Sequence, residues 1–372
     1  MKYFYNNRYS PFNFLVKEMQ PNILLMCKLL FLLIVAHGFI GYVEDPFIPF
    51  IRALDYFLEY PNVFKTTLRS LFLCSGLLLL FNIRPRTMAI ILGCSVIMVI
   101  LSSKSLFRNH LFICGCALLL AGLSDKNSPP RLLFIQLSLV YFGAVFNKVF
   151  EADWWSGQFI YNWLGNSREN PFFISVSEFL PNMWFAKLLS WFSMLVEFSI
   201  AVLILIKKRH VMVAWIIILF HSVLYTIIFF RFGHFYEDIV IILLIFLIWP
   251  KEKINIYINK NVSVFFKQIF SFYFNNCYVI HDNASNIKNA YWLKIKTDSV
   301  DKINISALRY LLIFTPNFYL TLFIVDLLIR FLFNDIIMHL LHISILWIWI
   351  IFFISKFWKG KRPINTQIEN GY

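Results

Sequence analysis

The chain has 372 residues, of which 59 % are hydrophobic and 43 are Phe, with a mean hydropathy of +0.68. Soluble domains average roughly 45–50 % apolar residues, so too few charges remain here to solvate a globular surface, and a soluble enzyme or binding domain is excluded. The net charge of +14 does not indicate nucleic acid, because Lys and Arg sit in short clusters between apolar runs, as they do at the cytoplasmic ends of membrane spans.

The predicted class is an all-α polytopic membrane protein. It comprises an eight-span helical bundle, a small α/β-like cytoplasmic segment, and one or two further membrane-associated hydrophobic helices. Residues 1–21 are polar and aromatic, with Lys2, Arg8 and Lys17 on the positive side. The bundle is assigned to 22–250. Its first span, about 23–43, lacks a small-residue cleavage site and reads as retained. Lys28 and His37 fall on different faces of it at about 100° per residue, so Lys28 is expected to snorkel and His37 to face the bundle. The loop 44–65 is acidic and broken by Pro46, Pro49 and Pro61, with a short helix around 50–59. Further spans follow at about 66–83, 87–103, 107–123 and 132–150. The polar segment 151–181 reads as an external loop with interfacial helices, and the remaining spans fall at about 183–206, 211–231 and 238–250.

Basic turns at Arg84/Arg86, Lys126/Arg131, Lys207–Arg209 and Lys251/Lys253 fall on one side with the N-terminus, and acidic loops on the other. This predicts a cytoplasmic N-terminus in the plasma membrane, although Lys104 and Arg108 run against the pattern. Residues 251–335 alternate like strands in KINIYINK and NCYVIHD. Two apolar stretches, 307–333 and 336–357, read as spans or as a hairpin pressed into the membrane, and 336–372 ends in a basic, then polar tail. The six cysteines have no metal or redox spacing.

The stretch Gln136–Gly157, QLSLVYFGAVFNKVFEADWWSG, organises the rest. Lys148 lies near the end of an apolar run, where a lysine costs up to about 2.5–3.5 kcal/mol at mid-membrane and less near an interface. Leu137, Tyr141 and Ala144 share its helical face. Lys148 either snorkels to the headgroups, with Asp153-Trp154-Trp155 as interfacial anchor, or sits desolvated and serves as a general base. His110 opens the fourth span, Glu197 lies deep in the sixth, and His221 lies midway along the seventh with Tyr225 one turn on. Intramembrane ionisable groups usually face the bundle interior or a watery cavity. For each histidine a helix-to-helix hydrogen bond is the simpler role; for Glu197 a structural tie and a proton role both remain open. His234, Glu237 and Asp238 suffice for a cation at the outer turn, though a polar turn needs none.

The pattern Gln136, Tyr141, Lys148, Asp153, Trp154, Gly157 resembles the corresponding stretch of vitamin K-dependent γ-glutamyl carboxylases and of the bacterial HTTM proteins that share their transmembrane core. Asn109-His110, His221 and Glu197 resemble further positions of that group, and the likeness covers about residues 20–250. It implies that Lys148 acts as the base that deprotonates a reduced vitamin K-like quinol, supported catalytically by His110, Asn109 and His221. Tyr141 and Glu197 would then contribute to holding the quinone cofactor. The carboxylases carry a large lumenal substrate domain that this chain lacks on its outer side, so the resemblance implies a restricted or different activity. Related bacterial proteins also suggest an exported peptide or protein as substrate, with membrane lipid as the surrounding partner. Residues 251–335 are faintly similar to the thioredoxin-like DCC domain, but the strand INIYINK is followed by NVSVFF with no cysteine, so thiol–disulfide exchange is not expected. Beside a carboxylase-like enzyme, the sequence admits a non-enzymatic membrane factor for maturation of, or immunity to, an exported peptide. A transporter would show broken helices and inverted repeats, and neither is visible.

Overall fold

A computed structural model describes residues 9–14, 16, 18–228, 234–247, 254–259, 262–274, 278–283, 291–296 and 301–332. Eight helices build the bundle: α1 Pro21–Ala36, α2 Pro61–Leu80, α3 Pro85–Ser102, α4 Asn109–Leu123, α5 Arg131–Phe150, α6 Trp184–Ile204, α7 His210–Ile227 and α8 Phe235–Ile242. Proline stands in the first turn of α1, α2 and α3, where its missing N–H costs no helical hydrogen bond and its fixed φ favours the start. The predicted loop 151–181 folds as a series of short helical turns, with one further helix at Pro171–Phe179.

The chain is a multi-pass membrane protein. Among the described residues, α2, α3, α5, α6 and the run Lys207–Ile227 are long and apolar enough to cross a bilayer. Helices α1 and α4 are apolar but shorter, at 16 and 15 residues. At 1.5 Å per residue they extend roughly 22–24 Å, against a hydrocarbon core of about 30 Å. The first predicted span is therefore too long at its far end. Gly38 takes φ +77° and ends the helix, and Phe39–Glu44 tightens into a 3-10 turn.

Helix α1 is the centre of the bundle, with twelve of its 16 residues buried. It packs against α2, α4, α8 and the turn Leu243–Phe246. Lys28 does not snorkel as predicted. It is wholly buried, its Nζ donates to the Pro11 carbonyl at 2.6 Å, and it lies 4.5 Å from the Phe14 ring centroid. The segment before α1 folds over the helix end and supplies these partners, so the amine finds acceptors inside the protein instead of at the headgroups. Asn82 holds that segment down by donating to the Ser10 and Asn13 carbonyls.

Helices α3 and α4 form a close antiparallel pair. A Cβ on Gly93 would stand 2.5 Å from the backbone nitrogen of Leu119, and one on Gly122 would stand 2.7 Å from the Arg86 carbonyl. Small residues at a membrane helix interface let backbones approach to distances that larger side chains forbid.

Beyond the bundle, strands β1 Ile254–Asn259, β2 Tyr278–Asn283, β3 Leu293–Lys296 and β4 Asp301–Ile303 form one sheet in the order β2-β1-β3-β4. Strands β1 and β2 are parallel, joined by α9 Val264–Phe274, and β3 and β4 are antiparallel. The two predicted strand segments are thus found, and part of NVSVFF opens α9. Strand β4 runs into α10 Asn304–Phe314, which meets α11 Pro316–Leu332 with a bend of 73°. The buried Leu320 of α11 joins the bundle core. The first of the two late apolar stretches is therefore a bent, packed pair. The second, at 336–357, and the tail to 372 lie outside the described residues.

Candidate functional site

Two groups of polar side chains are built into this apolar bundle. The first lies between α5, α6 and α7. Leu137 and Tyr141 are buried and Ala144 and Lys148 half-buried on one face of α5, as the spacing predicts. Helix α6 runs antiparallel beside it, registered by Ser138 Oγ donating to the Ala201 carbonyl at 2.8 Å. In that register Glu197 lies level with about residue 142, roughly six residues or 9 Å short of Lys148. Side chains on a helix lean toward its N-terminus. On antiparallel neighbours that leans Lys148 and Glu197 toward each other, and the two chains close the gap in a buried ion pair.

The Asp153–Gly157 elbow completes the enclosure. Trp154 places its ring 4.7 Å from the Lys148 amine, within cation–π range. The turn is held by Trp155 Nε1 donating to the Val149 carbonyl and by Trp191 Nε1 of α6 donating to the Trp155 carbonyl. Gly157 is required twice over: its φ is +79°, and a Cβ would stand 2.6 Å from the backbone nitrogen of Lys187 at the start of α6. Lys148 is thus neither a headgroup anchor nor a lone amine. Its cost is offset within the protein by Glu197 and Trp154.

One turn or two below, the Tyr141 hydroxyl and His221 Nε2 are hydrogen-bonded at 2.8 Å, both buried. Gln136 at the head of the motif donates to the Ile113 carbonyl and ties α5 to α4. Tyr225, the aromatic one turn after His221, points elsewhere and stacks on Tyr236 of α8.

The second group gathers at the end of the bundle where α1 stops and α4 and α8 begin. His110 Nδ1 lies 2.7 Å from Asp238 Oδ2. The carboxylate accepts, so the proton is on Nδ1. His37 Nε2 lies 3.0 Å from Glu237 Oε2, which meets the expectation that His37 faces inward. The His37 and His234 rings stack at 3.6 Å. No hydrogen bond or ion pair joins His110 to Lys148, and Asn109 is exposed in the first turn of α4. The structure therefore divides the predicted residues. Lys148 and Glu197 meet, as do Tyr141 and His221, while His110 belongs with Asp238. The spacing His234-x-x-Glu237-Asp238 was the sequence signal for that second group. What the sequence could not supply was that His37 and His110, far apart in the chain, face it.

Neither of the two clefts that stand out in the structure opens on these groups. One, of about 380 Å³, is lined by Tyr161, Phe173 and Glu178 in the 151–181 segment, and the other by Asp301, Arg309 and Tyr310.

Residues 130–249 match the family model of the HTTM domain, a region that contains α5 to α8, the elbow, Lys148, Glu197, His221 and the His234–Asp238 turn. No curated protein and no solved structure matches the chain.

Proposed function

We propose that this HTTM-domain membrane protein has a carboxylase-like core in which Lys148 and Glu197 exchange a proton with a quinol bound from the outer leaflet. The observation that carries this reading is the Lys148–Glu197 pair, set in an apolar bundle beside the Tyr141–His221 pair. The amine and the carboxylate stand side by side with a proton to share between them. A quinol hydroxyl docked against the pair passes its proton to it, and the apolar surroundings keep water from the basic product. Tyr141 and His221 provide a hydroxyl and an imidazole to orient a quinone oxygen. The N-terminus is cytoplasmic in the plasma membrane, which puts this end of α5 on the outer side. Membrane lipid surrounds the bundle, and an exported peptide or protein is the substrate class.

The α/β segment is read as a DCC-like unit without redox function. The link between β1 and α9, where that domain's cysteines would fall, is Lys260-Asn261-Val262-Ser263, and no thiolate is present there to attack a disulfide.

The test is to purify the full chain in mild detergent and extract it for bound quinone, then add a reduced menaquinone-type quinol in air-saturated buffer, with dioxygen as the two-electron oxidant, and follow its oxidation. Wild type is expected to retain and turn over the quinone, and Lys148→Ala to retain it without turnover. Turnover indifferent to Lys148→Ala refutes the base assignment.

The same ion pair favours a second reading. A tie that neutralises Lys148 is also what a purely structural contact between α5 and α6 requires. On that reading the protein is a non-enzymatic factor for maturation of, or immunity to, an exported peptide. It predicts no quinone in the extract and a chain whose loss leaves the peptide unprocessed or toxic to its producer.

A further inference from the structure

We infer that His37, His234 and Glu237 form a binding site for a divalent transition-metal ion of zinc-like preference, where α1 ends and α8 begins. Their ligand atoms all lie within 4.8 Å of one another. Glu237 Oε2 is 3.0 Å from His37 Nε2 and 3.7 Å from His234 Nδ1. Ligand atoms on a tetrahedron around zinc, about 2.0–2.1 Å from the metal, lie about 3.3–3.4 Å apart. The two observed separations bracket that edge and the third is within 4.8 Å, so an ion fits once one imidazole turns out of the stack to aim its nitrogen at the shared point. Two imidazoles and a carboxylate are also the donor set that zinc accepts in sites with three protein ligands and one open position.

Hydrogen bonding alone accounts less well for this arrangement. A single carboxylate oxygen faces two imidazole nitrogens, and only the closer of them is at hydrogen-bond length. The rings are stacked face to face at 3.6 Å with 24° between planes, which brings both imidazoles to the one carboxylate. A cation bound by both rings satisfies both nitrogens at once and balances the adjacent carboxylates Glu237 and Asp238.

The surroundings suit such an ion. His234 has a half-exposed side chain, 52 %, whereas His37 is at 5 %, so the site has one wet face for a water ligand and for access. Behind it, Asp238 holds His110 with the proton on Nδ1, leaving Nε2 as that ring's lone-pair nitrogen. The His110 ring centroid is 6.1 Å from that of His234. Asp238 and His110 thereby flank the site, with the His110 ring centroid 6.5 Å from that of His37. None of these residues touches the Lys148–Glu197 pair, so the metal site stands or falls separately from the quinol reading.

The full chain, purified in detergent with a histidine-free affinity tag and stripped with chelator, is titrated with Zn²⁺ alone and Co²⁺ alone. One ion per chain is expected, with Co²⁺ showing the intensified visible bands of four- or five-coordination. Glu237→Gln and His234→Ala should each weaken Zn²⁺ binding at least tenfold. His210→Ala removes a histidine from the opposite end of α7 and should bind as wild type does. A wild-type chain that leaves Co²⁺ with its six-coordinate aqueous spectrum overturns the inference. So do Glu237 and His234 variants that hold Zn²⁺ as tightly as wild type. Should those variants fail to fold, the wild-type cobalt spectrum decides alone.

Discussion

The Lys148–Glu197 pair makes a quantitative prediction that requires no knowledge of substrate. The side chains are 16 % and 9 % exposed, so either charge left alone would be largely desolvated. Removing one member of a buried pair costs about 3–5 kcal/mol, whereas replacing both by apolar residues of similar volume is often neutral or stabilising. Lys148 retains some exposure and the Trp154 ring, which sets the expectation at the lower end. Glu197→Leu and Lys148→Met should each destabilise the bundle by about 3 kcal/mol, roughly a hundredfold in the unfolding constant. The double variant should lose less than about 1 kcal/mol. The assay is equilibrium unfolding of the purified chain in mixed detergent–dodecyl sulfate micelles, followed by circular dichroism. A double variant whose loss equals the sum of the two singles would show that the charges do not support each other. The elbow and the α5–α6 packing would then hold the lysine instead.

Three further outcomes follow from contacts described above. Gly157→Ala must adopt φ +79° and place a Cβ 2.6 Å from the Lys187 backbone; a loss of at least about 2 kcal/mol is expected, and an unchanged unfolding midpoint would refute the tight elbow. Gly93→Ala pushes α3 from α4 at Leu119 and should cost about 1–3 kcal/mol by the same measurement, with Gly143→Ala, where a Cβ meets nothing within 4 Å, as the silent comparison. Tyr141→Phe removes the hydrogen bond to His221 and leaves a buried ring nitrogen without its hydroxyl; about 1–3 kcal/mol should be lost, and His221→Phe on top of it should recover part of that loss.

Much of the bundle is legible in the sequence because proline and charge punctuate it. Pro61, Pro85 and the Pro129-Pro130 pair mark helix starts within a few residues, and the stripe Leu137, Tyr141, Ala144, Lys148 emerges from helical periodicity alone. The partners of those groups are not legible, because they depend on how antiparallel helices register. Nothing in the spacing between Lys148 and Glu197 says that both side chains lean into the same gap. Lys28 shows the opposite failure. Its position near the entry end of the predicted span suggests a headgroup contact, but a preceding segment folds over it, and only the tertiary path of residues 9–14 reveals that. His110 looks like a companion of Lys148 from depth in the membrane, yet rotation about the axis of α4 turns it to Asp238.

The central position of α1 has a consequence for the order in which the protein is made. Lys28 finds its acceptor only 17 residues earlier in the chain, so it can be satisfied as soon as α1 emerges. Asn22 donates to the Leu244 carbonyl, 222 residues later, and His37 meets Glu237, 200 residues later. Until α8 has been synthesised, these two side chains sit on a nascent helix with no lasting partner. A ribosome stalled after α7 would therefore leave the core helix of the bundle with two polar groups unanswered.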